Sequence, residues 1–181
     1  MMPYQARETR SGGPECVAKA IEQVNLICGR VSSDERLGVL LTLTQGKPAT
    51  VFWPAFFHWW NICDDTWHWR NRLLRALRRH NADEPGTSYL SVTNRQFLDG
   101  LPDPVRVFRG CSRRRARGVS WTTDREIAAG FAKGHRFIPV PSPVIVAGLV
   151  PKRAVFGAIQ DRQESELILD PAQVARLNRR L

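Results

Sequence analysis

Long apolar runs are missing from this chain: none approaches the eighteen or more residues that a membrane-spanning helix needs. The opening MMPYQARETRSGGPE also lacks the basic-then-apolar layout of a secretory signal. A soluble protein acting in the cytoplasm, of the producing cell or of a target cell, is therefore expected, with no membrane partner. Cysteine is sparse and scattered: Cys16, Cys28, Cys63 and Cys111 show no C-x-x-C spacing, so no disulfide framework is expected. His58 and His68 flank Cys63, but tryptophans are interleaved and a fourth ligand is missing. No metal is expected there. There is no internal repeat. Acid is also short, with 17 Asp plus Glu against 27 Lys plus Arg, which leaves +10. Arginine greatly outnumbers lysine. Such a surface attracts polyanions, whether nucleic acid, an acidic protein patch or the diphosphate of a dinucleotide.

Read in order, residues 1–13 form a polar, glycine-bearing arm expected to be disordered. Val17, Ile21, Val24 and Cys28 then recur at helical spacing up to Gly29. A second helix is expected from Ser32 or Ser33 to about Thr44, with Ser32 and Glu35 at capping-box spacing. The stretch VFWPAFFHWWNICDDTWHW holds five of the six tryptophans and reads as a helix begun near Pro54, buried on one broad face through Phe52, Phe56, Phe57, Trp60, Cys63 and Trp67. Core is the commoner meaning of such a cluster, and a base-stacking platform is the alternative. RNRLLRALRRHN continues or restarts the helix, with Leu73, Leu74 and Leu77 inward and Arg70, Arg72, Arg75, Arg78 and Arg79 mostly outward. Residues 14–84 are thus a helical N-terminal region, and Glu84-Pro85-Gly86 marks its boundary with a region over 85–181. Both belong to one globular unit.

The chemistry concentrates between Val105 and Pro171. Val105, Val107 and Phe108 make a short strand delivering Arg109, whose planar fork of donors suits phosphate or a sugar edge, and Gly110 admits close approach to the backbone. In SWTTD, strand alternation puts Ser120 and Thr122 on one face and Trp121 on the other. Asp124 caps a helix over Arg125 to Lys133, whose apolar face is Ile127, Ala128, Phe131 and Ala132. In ESELIL, Glu164 and Glu166 alternate with Ser165 ahead of Leu167, Ile168 and Leu169, so a strand would set both carboxylates on one face, each raising the other's pKa. Taken singly, the three pieces also read as a surface arginine before a turn, an ordinary strand, cap and helix, and solvated edge charges. Strands are expected over Val144 to Leu149 and Ala154 to Ile159, a loop at Gln160 to Gln163, and a final basic helix or frayed end from Pro171.

In this order, VFRG, SWTTDREIAAGFA and ESELIL resemble the motifs of the bacterial and phage mono-ADP-ribosyltransferases of the toxin-like Arg, Ser, Glu class. The likeness covers roughly residues 105–171, just over a third of the chain. It implies an α/β (α+β) fold with a split, strongly twisted small-sheet core behind an N-terminal helical layer, with NAD as co-substrate and no metal. Arg109 would hold the diphosphate or adjacent ribose, and Gly110 the nicotinamide amide. Ser120 would orient the nicotinamide ribose and the catalytic Glu166, with Thr122 supporting that strand. Glu164 would activate or select the acceptor, Phe131 would wall the nicotinamide pocket unless it is helix core, and Asp161, Arg162 and Gln163 would recognise the acceptor. Two features depart from the family: only eleven positions separate Arg109 from Ser120, filled by Arg113, Arg114, Arg115 and Arg117 in place of a helical pair, and the middle motif is Ser-Trp-Thr-Thr. The implied activity is transfer of ADP-ribose from NAD to a protein or nucleic-acid acceptor, steered by the basic faces at residues 70–79 and 113–117, in an effector or toxin-like setting. The alternatives are an NAD glycohydrolase and a non-catalytic, basic nucleic-acid-binding protein.

Overall fold

Pro14, with a fixed backbone angle suited to a first helical turn, opens helix α1 (Pro14–Cys28), and α2 (Ser33–Leu43), α3 (Ala49–Trp60) and α4 (Arg70–Asp83) follow. The computed structural model describes residues 13–64, 66–134, 139–160 and 164–176. The expected arm at 1–13 and the acceptor candidates Asp161, Arg162 and Gln163 lie outside these, Gly13 apart. Among the described residues no helix is long and apolar enough to cross a membrane.

Two local expectations are corrected here. Helix α3 begins at Ala49 behind Pro48 and carries Pro54 in its interior. A proline inside a helix removes one ladder bond and crowds the preceding turn, at a cost of about 3 kcal/mol or more. Phe52, Trp53 and Phe56, each at most 1% exposed, outweigh that, because burying one such side chain is worth about 1.5–3 kcal/mol. The helix also stops at Trp60, so Cys63 and Trp67 lie in the turn before α4 restarts at Arg70. At Ser32 the capping box does not close on the backbone. Its hydroxyl instead donates to the Glu35 carboxylate at 3.1 Å.

After a 3-10 turn at Gly86–Tyr89 comes α5 (Val92–Gly100), where Ser91 caps by accepting from the Asn94 amide at 3.2 Å. Next are strand β1 (Val105–Ser112), β2 (Ser120–Thr122), helix α6 (Arg125–Lys133), β3 (Pro143–Val150), β4 (Val155–Ile159), β5 (Glu166–Leu169) and β6 (Ala175–Arg176). The six strands form one antiparallel sheet in the order β4-β5-β2-β1-β3-β6, so the molecule is mixed α+β. Where a basic helix or a frayed end is expected from Pro171, the described residues form a 3-10 turn at Pro171–Gln173 and a short edge strand, β6, against β3, and residues 177–181 lie outside the described ones.

Alternation along β5 ties both layers together. Ile168 joins Phe52, Phe56, Leu73 and Leu77 in the helical core, whereas Leu167 and Leu169 join Val105, Val107, Trp121 and Val155 in a second cluster. All three β5 residues are fully buried. Phe156, Ile159 and Val119 also enter the helical core, so the turn near residue 85 divides the sequence without dividing the core. The sheet itself is uneven. β1 and β3 are paired continuously from Val105↔Val150 to Ser112↔Pro143, while β1 meets β2 through the single pair Phe108↔Thr122.

Candidate active site

A cleft of about 250 Å³ opens at this narrow joint. Arg109, Gly110, Ser120, Thr122, Phe131, Glu164 and Glu166 all line it. Three separate motifs, predicted from strands, thus converge on one hollow.

Arg109 reaches it from β1. Its Nε donates to the Arg115 carbonyl at 3.1 Å, and its Nη1 donates to the Ser120 carbonyl. The short arginine-rich link after β1 folds as a 3-10 turn at Arg113–Arg115 and holds this side chain by its own backbone. Gly118 makes room for it, since a Cβ at that position would lie 2.3 Å from the guanidinium. Burial is the main influence lowering the Arg109 pKa; Cys111 and, more weakly, Glu166 oppose it. A guanidinium stays charged under all of these influences.

Gly110 has a further reason to be glycine. A Cβ there would sit 1.6 Å from the carbonyl oxygen of Ala128, so the α6 backbone rests directly on β1. Asp124 starts that helix as expected, its Oδ1 accepting from the amides of Glu126 at 2.7 Å and Ile127 at 3.3 Å. Ala128 is fully buried, and the half-buried Phe131 faces the cleft as one of its walls.

β2 carries the hydroxyl pair as predicted, with Trp121 turned into the second core cluster. The Thr122 hydroxyl donates to the Glu164 carbonyl at 2.7 Å and accepts from the Asp124 amide at 3.0 Å. It therefore fastens the acidic turn to the cap of α6, a positioning role.

The paired glutamates share the cleft, but not by strand alternation. Strand β5 starts only at Glu166, and Ser165 is left-handed at φ 46°, a conformation costing a non-glycine residue about 1–2 kcal/mol. The Thr123 amide donates to the Ser165 carbonyl at 3.2 Å and helps hold the turn that presents Glu164. Burial pushes the Glu166 carboxyl above its ordinary value, and Glu164 adds to this. Hydrogen bonding from Ser120 and Trp60, and the charge of Arg109, pull it back.

Trp60 is the cleft residue that the sequence concealed. Its indole Nε1 donates to Glu166 Oε1 at 3.1 Å from 106 positions away, although its place in an apolar helix reads as core. The available signal was chemical: a buried indole N–H needs an acceptor, and the other tryptophans of α3 find theirs, Trp53 on the Glu84 carbonyl and Trp59 on Asn25. Asn61, Cys63, Asp64 and Thr66 continue this wall. Burial pushes the Cys63 thiol up to about 12, which favours its protonated form at neutral pH. Compared with known proteins, the chain matches no protein-family model, no curated protein and no solved structure.

Proposed function

We propose that the protein is a mono-ADP-ribosyltransferase that moves ADP-ribose from NAD to a macromolecular acceptor. The observation that carries the reading is the meeting of Arg109, Ser120 and Glu166 in one cleft. The one-pair joint between β1 and β2 beneath it supports the split small-sheet core that the family resemblance implies. At about 250 Å³ the cleft is just under the ~300 Å³ at which pockets for drug-sized ligands begin. That is the scale of the nicotinamide riboside half of the dinucleotide.

In this mechanism Arg109 holds the diphosphate or its neighbouring ribose, and Phe131 walls the nicotinamide. The bond between nicotinamide and ribose breaks, its electron pair leaves with nicotinamide, and positive charge builds on the sugar. Glu166, ionised and hydrogen-bonded to a ribose hydroxyl, stabilises that charge more in the transition state than in the ground state. Ser120 and Trp60 orient the carboxylate. The acceptor then forms the new bond to the ribose carbon and gives up its proton, with Glu164 placed to receive it. Water in place of the acceptor would make the same site a glycohydrolase.

The test is incubation of the purified chain with adenylate-labelled NAD and a cell lysate. Label on protein or nucleic acid, with free nicotinamide, is the expected result. Label only in free ADP-ribose reassigns the site to hydrolysis, and no nicotinamide release overturns the proposal.

A further inference from the structure

A second cavity, of about 420 Å³, lies between the C-terminal end of α2 and one face of α4 and shares no lining residue with the cleft. Arg72, Arg75 and Arg79 line it together with Thr44, Gln45 and His80. Steps of three and four residues stack the arginines along one stripe of the helix.

Their neighbour Arg78 shows what a satisfied arginine looks like here: it grips Asp170 through two bonds of 2.7 and 2.8 Å. The three arginines of the stripe have no acidic partner among the described residues. Arg72 donates to the Thr42 hydroxyl and lies over the Trp69 ring, while Arg75 and Arg79 are exposed. The end of α2 offers only about half a unit of negative charge, against three guanidiniums. Like charges at this spacing repel, so the cavity has a standing excess of positive charge. His80 lines the same cavity from its buried side. It is 3% exposed, stacked on Phe52 at 4.1 Å, and its Nδ1 is a buried polar atom without a hydrogen-bond partner.

We propose that this cavity docks the phosphate backbone of nucleic acid, apart from any chemistry in the cleft. At 1.5 Å rise per residue, the stripe from Arg72 to Arg79 is about 10.5 Å long. Along its axis one strand of a duplex presents about three phosphates over that length, enough to engage the open Arg75 and Arg79 together. The guanidinium fork matches phosphate oxygens in pairs, and a polymer that carries a phosphate at every step fits a row of guanidiniums better than an acidic peptide does.

Binding of the full chain to a fluorescent oligonucleotide of about 20 nucleotides, single-stranded and duplex, tests this without NAD. In Arg75→Gln/Arg79→Gln the duplex affinity should fall at least about tenfold, and the slope of log affinity against log salt should flatten by about 2, near 0.9 for each lost phosphate contact. Arg30→Gln/Arg153→Gln removes the same charge from exposed positions that line neither cavity and should stay within about twofold of wild type. Equal losses in the two double variants would mean that net charge alone attracts the polymer and would overturn the site. Undiminished binding by Arg75→Gln/Arg79→Gln would do the same, as would saturable binding of inorganic phosphate or a poly-aspartate peptide with none of either oligonucleotide.

Discussion

The two ends of β5 carry carboxylates with opposite fates. Asp170, just past the strand, is also partly buried, yet its carboxyl is held below the ordinary range because Arg78 and the Ala172 amide more than offset its burial. Glu166, at the start, has Trp60, Ser120 and Arg109 for company, and burial with Glu164 nearby still leaves it raised. Both acids bury part of their charge, but only one is fully compensated. The difference separates a group that fastens the sheet to α4 from one held in tension at a cleft, the pattern that catalytic acids show.

The largest break in this comparison is expected from Glu166→Gln. Nicotinamide release should fall roughly a hundredfold to a thousandfold, read as kcat with labelled NAD. The same variant should melt at a higher temperature near pH 7. A raised carboxyl pKa makes ionisation costly in the folded state, so the wild-type penalty is absent below the ordinary value of 4.5 and grows as pH rises through the raised one. The gain in Tm should therefore vanish in acid, and a gain that persists below pH 4 would show that the carboxyl is not strained by its surroundings.

Trp60→Phe sharpens the same contrast more gently. It keeps a ring in the core and removes one N–H that holds Glu166 down. A loss of about tenfold in kcat, about 1.4 kcal/mol, should come with an acidic limb of the pH profile moved to higher pH and little change in KM. An unmoved limb would reduce Trp60 to packing. The smallest effect belongs to Asp170→Asn. Its partner Arg78 is half exposed, so the pair is worth about 1 kcal/mol or less, measured as a modest fall in Tm at pH 7 with activity unchanged. That contribution is present above the ordinary aspartate value of 3.8 and lost as pH falls through the lowered one, so the wild-type advantage should disappear in acid.

Much of the cleft was legible because its residues sit on strands whose alternation is local: Ser120 and Thr122 face one way and Trp121 the other, as two-residue periodicity requires. Asp124 and the helix after it were legible for the same reason, a cap and an apolar stripe within ten residues. What escaped depended on distance or on competition. Trp60 meets Glu166 across 106 positions of sequence, and no local pattern distinguishes it from Phe56. Pro54 misled because burial of α3 overrides a rule about helix starts. The glutamates meet in the cleft by way of a left-handed Ser165, where a period of two would have placed them by pleat alone. On α4 the sequence showed five arginines alike, and only packing revealed that Arg78 is engaged while Arg75 and Arg79 stand open.

The lone rung between Phe108 and Thr122 has a mechanical consequence. Each wing of the sheet is stapled within itself, and the seam between them relies on α6 and the shared interior for alignment. A molecule wedged across that seam would brace the wings like a missing crossbar, so occupancy and rigidity should rise together, and the chain would be stiffest at the moment the proposed chemistry demands accurate aim.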